Sequence, residues 1–233
     1  MIATHAKAQD NDLRLQAETR IDYSGEFLKS NGSNGTASFN GKYLNVILSG
    51  TIGEDFSYAY RQRLNKAHAD QSFFDATDWL YLTYAPSRSW QFSAGKQVVA
   101  IGGYEYDRAP IDLYFCSEFW NNVNCYQIGA SVAYTTNEGN DTLTFQFCQS
   151  PYDTSSLDLF AYNLYWMGSH GFYTALHSLN FSQYAPGKYD VYVVLGNQFK
   201  FGDATLQLDL MNRGVSGREL LFQNFSIMGE FSY

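Results

Sequence analysis

Four arginines stand on the polar faces of two alternating segments, two of them with neighbours of opposite charge. Arg14 and Arg20 share one face of an alternating segment with Glu18 and Asp22, and Arg61 and Arg63 share one face of another. A guanidinium is a planar fork that donates two hydrogen bonds together, so phosphate and carboxylate are the groups it suits. If the polar faces turn toward an aqueous interior, these four side chains line it. Two chemistries are then open, transient capture of passing anions or an Arg–Glu network that braces the wall. A second group, Glu105, Asp107, Arg108 and Asp112, lies within residues 99–124, a stretch too long and too apolar for an idle surface loop. Folded into the interior, it would form a constriction whose mixed charges set a transverse field that sorts solutes by charge and size. The alternative is an extracellular cap held together by its own aromatic residues.

The remaining reactive residues point away from catalysis. Cys125 and Cys148 fall on inward faces of adjacent antiparallel segments, which makes a disulfide between them plausible, and Cys116 to Cys125 is the alternative pairing. No Cys-x-x-Cys pair occurs, and His5, His68, His170 and His177 are dispersed, so no metal site is expected. His177 and Ser178 are consecutive on a strand and therefore face opposite sides, which rules them out as a base and nucleophile. There is no Gly-x-Ser-x-Gly elbow. Neither an enzyme nor a cofactor is expected.

The elements that must carry these side chains are strands. From Leu13 to Tyr23, the residues Leu13, Leu15, Ala17, Thr19, Ile21 and Tyr23 alternate with Arg14, Gln16, Glu18, Arg20 and Asp22. One face suits hydrocarbon and the other suits water, over the length a tilted strand needs to cross a bilayer. Further segments follow at Phe39–Ser49, Phe56–Asn65, Ala76–Tyr84, Trp90–Val98, Cys125–Tyr134, Thr142–Gln149, Leu159–Met167, Phe172–Leu179, Tyr189–Phe201, Ala204–Asn212 and Phe222–Tyr233. Ala76–Tyr84 is ambiguous, with Trp79 and Tyr81 on one face and Leu80, Leu82 and Tyr84 on the other. Every second connection is short, while the others are mostly long. A transmembrane barrel with periplasmic turns and extracellular loops has this asymmetry, and a soluble up-and-down barrel has no physical reason for it.

Composition agrees. Aromatic residues make up 18% of the 233 residues, with 19 Tyr and 18 Phe, while only 16% is charged. Membrane barrels place such rings in girdles at both interfaces. No stretch is apolar enough for a transmembrane helix, and the net charge of −8 with scattered basic residues argues against nucleic acid. The expected fold is an all-β, transmembrane antiparallel up-and-down barrel of about twelve strands in one domain, residues 9–233. Residues 1–8 are expected to be a signal-peptide remnant or a disordered tail, since Ala6-Lys7-Ala8 has the small-x-small pattern of a cleavage site.

At Arg61-Gln62-Arg63-Leu64-Asn65, Thr77-Asp78-Trp79-Leu80-Tyr81, Gly95-Lys96-Gln97 and the segment from Gly102 to Asp112, the chain resembles the phosphate-selective porin O/P family. The resemblance covers most of the chain from Leu13 onward. It implies a passive channel in the outer membrane of a Gram-negative bacterium, a homotrimer of sixteen-stranded barrels whose lumen captures anions with Arg and Lys. This sequence departs from that pattern twice. It is short, which leaves a truncated barrel or a smaller one, and it carries 15 basic residues against 23 acidic ones, which weakens the case for phosphate. The expected partners are outer-membrane lipid, lipopolysaccharide, and small hydrophilic or anionic solutes. Two alternatives stand beside a porin: a non-conducting barrel that scaffolds a larger outer-membrane complex, and a soluble sugar-binding barrel.

Overall fold

Period-2 sequence makes strands, and strands that cannot satisfy their edges alone must pair. The structure, a computed structural model, describes residues 12–25, 37–66, 72–112, 116–152, 158–215, 217 and 224–233. Its strands are β1 (Leu13–Gly25), β2 (Ala37–Ile52), β3 (Phe56–Arg63), β4 (Thr77–Tyr84), β5 (Trp90–Val98), β6 (Tyr126–Thr135), β7 (Asp141–Gln149), β8 (Phe160–His170), β9 (Tyr173–Ala185), β10 (Lys188–Phe201), β11 (Ala204–Val215) and β12 (Asn224–Ser232). They form one antiparallel sheet in sequence order, each strand bonded to the next. This is the up-and-down barrel architecture expected from the alternation. The small-x-small site at Ala6-Lys7-Ala8 lies outside the described residues.

One end of the sheet carries only short turns, residues 53–55, 85–89, 136–140, 171–172 and 202–203. The other end carries the long connections, with one departure from expectation. β9 runs on to Ala185, so its link to β10 is the two-residue turn Pro186–Gly187, with Gly187 at φ 69.

The sheet curls because its two outer strands grip the same loop. Arg20 of β1 donates to the carbonyl of Ile111 at 2.8 Å, while Arg108 pairs with Glu230 of β12 at 2.6 Å. Positions 108 and 111 are separated by at most about 11 Å of chain. β1 and β12 therefore approach one another around the loop, although among the described residues no ladder joins them.

The outer wall is apolar and aromatic. Leu13, Leu15, Ile21 and Tyr23 of β1 are exposed, as are Phe225, Ile227 and Phe231 of β12. Rings stack from strand to strand at the short-turn end, Phe56 on Tyr84, Tyr84 on Phe92 and Trp90 on Tyr134, at centroid distances of 4.9, 6.5 and 4.8 Å. Toward the other end Tyr23 meets Phe39, and Phe147 meets Phe160. Two belts of rings around an apolar band are what a bilayer with two polar interfaces selects. No described helix is long and apolar enough to cross a membrane, so any crossing is made by strands.

Candidate functional site

The ambiguous strand β4 is resolved by a bulge. Arg61 pairs with Trp79 and Gln62 with Thr77, which leaves Asp78 as the extra residue between them. Leu80, Leu82 and Tyr84 are exposed on the outer wall, whereas Trp79 and Tyr81 are half-buried on the inner one. The bulge turns Asp78 toward the arginines of β3. Its Oδ2 accepts from Nε of Arg61 and from Nε of Arg63, both at 2.7 Å, and the Arg61 and Asp78 side chains are only 3% and 5% exposed. Arg61 also donates to the hydroxyl of Tyr126 at 3.0 Å and lies 4.1 Å from the ring centroid of Trp79.

The other arginines named from the sequence are paired too. Arg20 binds Asp22 through Nε at 2.7 Å as well as the loop carbonyl. Arg14, largely exposed, pairs with Asp12. Glu18 accepts from Nδ2 of Asn45 at 3.3 Å. Further along, Arg213 is held by buried Asp190. The inner wall thus presents each of these guanidinium groups beside a carboxylate, with Asp78 shared between Arg61 and Arg63 so that one net positive charge stays in that cluster.

Residues 99–112 and 116–124 fold against the inner wall with two short helices, α1 (Tyr104–Asp107) and α2 (Glu118–Asn122), and a 3-10 turn at Pro110–Asp112. Val99, Ile101, Tyr106 and Val123 pack on Cys148, Ala161, Tyr192 and Val194 of the wall, with Phe119 and Trp120 against them. Apolar burial holds the body of the loop. Its first residues dock on amides. Gln146, Asn163 and Asn180 are register partners on β7, β8 and β9, all almost fully buried. Asn180 Nδ2 donates to Asn163 Oδ1 at 2.9 Å, and Asn163 Nδ2 donates to Gln146 Oε1 at 3.0 Å. The loop completes this ladder. Ala100 N–H donates to Gln146, Ala100 carbonyl accepts from Asn180, and Gly102 N–H donates to the Ser178 hydroxyl, each at 2.8 Å. Pairing the buried amides of this ladder with one another and with the loop backbone fixes the loop's entry.

The four charged loop residues have separate surroundings. Glu105 accepts from the Ser117 N–H and hydroxyl at 2.6 and 2.7 Å, tying α1 to the N-cap of α2. Arg108 bonds Glu230 and Gln207. Asp107 and Asp112 are exposed. The three cysteines are free thiols in this structure, so Cys125 and Cys148 are not bridged. Cys148 instead accepts from Asn163 Nδ2 at 3.6 Å. Burial pushes the thiols of Cys116 and Cys125 above their ordinary pKa, and pushes the phenol of buried Tyr106 well up. His170 pairs with Asp141, and His177 meets Tyr173 and Asn197 while Ser178 faces the loop. Among the described residues no cluster of three or more metal-ligating side chains exists; His5 and His68 lie outside them.

The amide ladder, Ser178 and Asp209 were not picked out by sequence reasoning. Asp209 accepts from the backbone N–H groups of Tyr104 and Glu105 across more than a hundred positions. Only the ladder left a signal, since Gln146, Asn163 and Asn180 recur at intervals of 17 residues, the spacing that paired hairpins produce.

Compared with known families, residues 13–188 match the family model described as phosphate-selective porin O and P. That is about three quarters of the chain. No curated protein matches it.

Proposed function

The chain belongs to the phosphate-selective porin O and P family, and from that premise we propose that it is a passive outer-membrane channel for small hydrophilic solutes, anions such as phosphate among them. The observation that carries this reading is the loop, residues 99–112 and 116–124, bonded to polar groups of the inner wall, where it would narrow a passage through the barrel. Arg20, Arg61 and Arg63 line that lumen beside Glu105, Asp107, Arg108 and Asp112. Because Arg20 is paired one to one with Asp22 while Arg61 and Arg63 share buried Asp78, only one net positive charge remains among them, and the charge preference is weak.

A second reading, a non-conducting barrel that scaffolds a larger assembly, is favoured by the apolar cluster that the loop forms inside the barrel. Reconstitution in a planar bilayer separates the two. Stepwise conductance from folded protein is the expected result. Its absence from protein shown to be folded overturns the channel and leaves the scaffold.

A further inference from the structure

Residues 99–124 are tethered in two ways that differ in chemistry and in place. The root, Val98 to Gly103, is bound by neutral groups on β7 and β9: Gln146, Ser178, Asn180 and the Leu176 carbonyl. The tip, Tyr104 to Asp112, adds charged groups on β1, β11 and β12, Arg20, Asp209 and Glu230, to its neutral contacts with the Thr174 carbonyl and Gln207.

Asp209 is the strongest of the tip tethers. Helix α1 has no side-chain cap of its own, because Gly103 stands at its N-cap with φ 95. The opening N–H groups of a helix have no partner within it. Asp209 supplies one from β11, two strands along the wall from Leu176, each carboxylate oxygen accepting one of these N–H groups at 2.9 Å. The negative charge also faces the positive end of the turn. Gly103 permits this approach, since a Cβ there would lie 3.3 Å from Asp209 Oδ2. By contrast the Arg108–Glu230 pair is 34% and 51% exposed, so water and salt screen it. Beside the clamp lies a cleft of about 150 Å³, lined by Tyr104, Arg108, Gln207, Met228 and Glu230 among others, into which a released tip has room to move.

We propose that Asp209 is the positioning residue that fixes the start of the loop tip against β11 and so sets how far the tip reaches into the passage, while the amide ladder holds the root regardless. The passage claim rests on the porin reading, and the tip claim does not.

The test uses the full-length protein with Asp209→Ala and Asp209→Asn, the second keeping one acceptor oxygen and nearly the same volume. Two quantities are read in reconstituted membranes. One is single-channel conductance, and the other is the rate at which a membrane-impermeant maleimide modifies Cys116, located by mass spectrometry. The expected result is a several-fold faster modification and a larger, noisier conductance in Asp209→Ala, with Asp209→Asn between it and the parent. A merely structural role would lower thermal stability without this graded change in conductance. If the parent conducts and neither variant alters conductance or modification, the proposal is overturned. If modification accelerates at unchanged conductance, Asp209 holds the tip and the passage claim falls. If the parent does not conduct, the porin reading and the passage claim fall together, and the modification rates alone decide whether Asp209 holds the tip.

Discussion

At the scale of single residues, the decisive fact is that one carboxylate serves two arginines in a place water scarcely reaches. Asp78 holds Arg61 and Arg63, and the Arg61 side chain is 3% exposed. Removing one partner from such a cluster leaves a buried charge uncompensated, which costs about 3–5 kcal/mol. Asp78→Asn keeps the shape and removes the charge, so the unfolding free energy from a urea titration of the folded barrel is expected to fall by that amount, with a lower midpoint. A midpoint unchanged within error would mean that the arginines are solvated and open to solutes, restoring the anion-capture chemistry. The parity that places Arg61 and Arg63 on one face was readable in the sequence. The partner was not, because Asp78 reaches them only through a one-residue bulge, and alternation carries no trace of where a bulge falls.

Elements show the same division. Twelve strands were legible because each has one face for hydrocarbon and one for water, and the structure moves their ends by a few residues without adding or losing one. The exception in loop length, Pro186–Gly187, arises because β9 continues with Ser182 and Gln183 into positions that read as polar loop. The loop's contacts were not legible, since they join residues about 46 to 122 positions apart. The Gln146–Asn163–Asn180 ladder predicts how firmly the root is held. Asn180→Ala strips partners from Asn163, Ser178 and the Ala100 carbonyl. Leaving a buried group unsatisfied costs about 1–3 kcal/mol. Water entering from the lumen offsets part of this, so a loss near the lower end is expected in the same unfolding titration. No loss would show that apolar packing by Val99, Ile101 and Tyr106 alone secures the loop.

For the whole molecule the question is what charge a solute meets on the way through. A formal charge of −8 and a family described by phosphate point in opposite directions. The pairing reconciles them in part. Arg20 with Asp22 and Arg213 with Asp190 present dipoles whose fields fall off faster than those of single charges, while Arg61 and Arg63 share one Asp78 and keep a single net positive charge in a buried cluster. Screening at physiological salt, over about 8 Å, then erases most of what remains outside the narrowest part. Selectivity should therefore respond to a change at the loop tip. Arg108 is the cation placed there, and Glu230 is its ionised partner. Glu230→Gln leaves Arg108 hydrogen bonded to neutral Gln207 and adds one net positive charge to the passage. In a potassium chloride gradient across a planar bilayer, the reversal potential of the parent channel is expected near zero, and that of Glu230→Gln displaced toward the chloride equilibrium potential. Raising the salt on both sides should shrink the displacement, because screening shortens the reach of the added charge. A displacement toward potassium, or none at low salt, would place the selective charges elsewhere than at the tip of the loop.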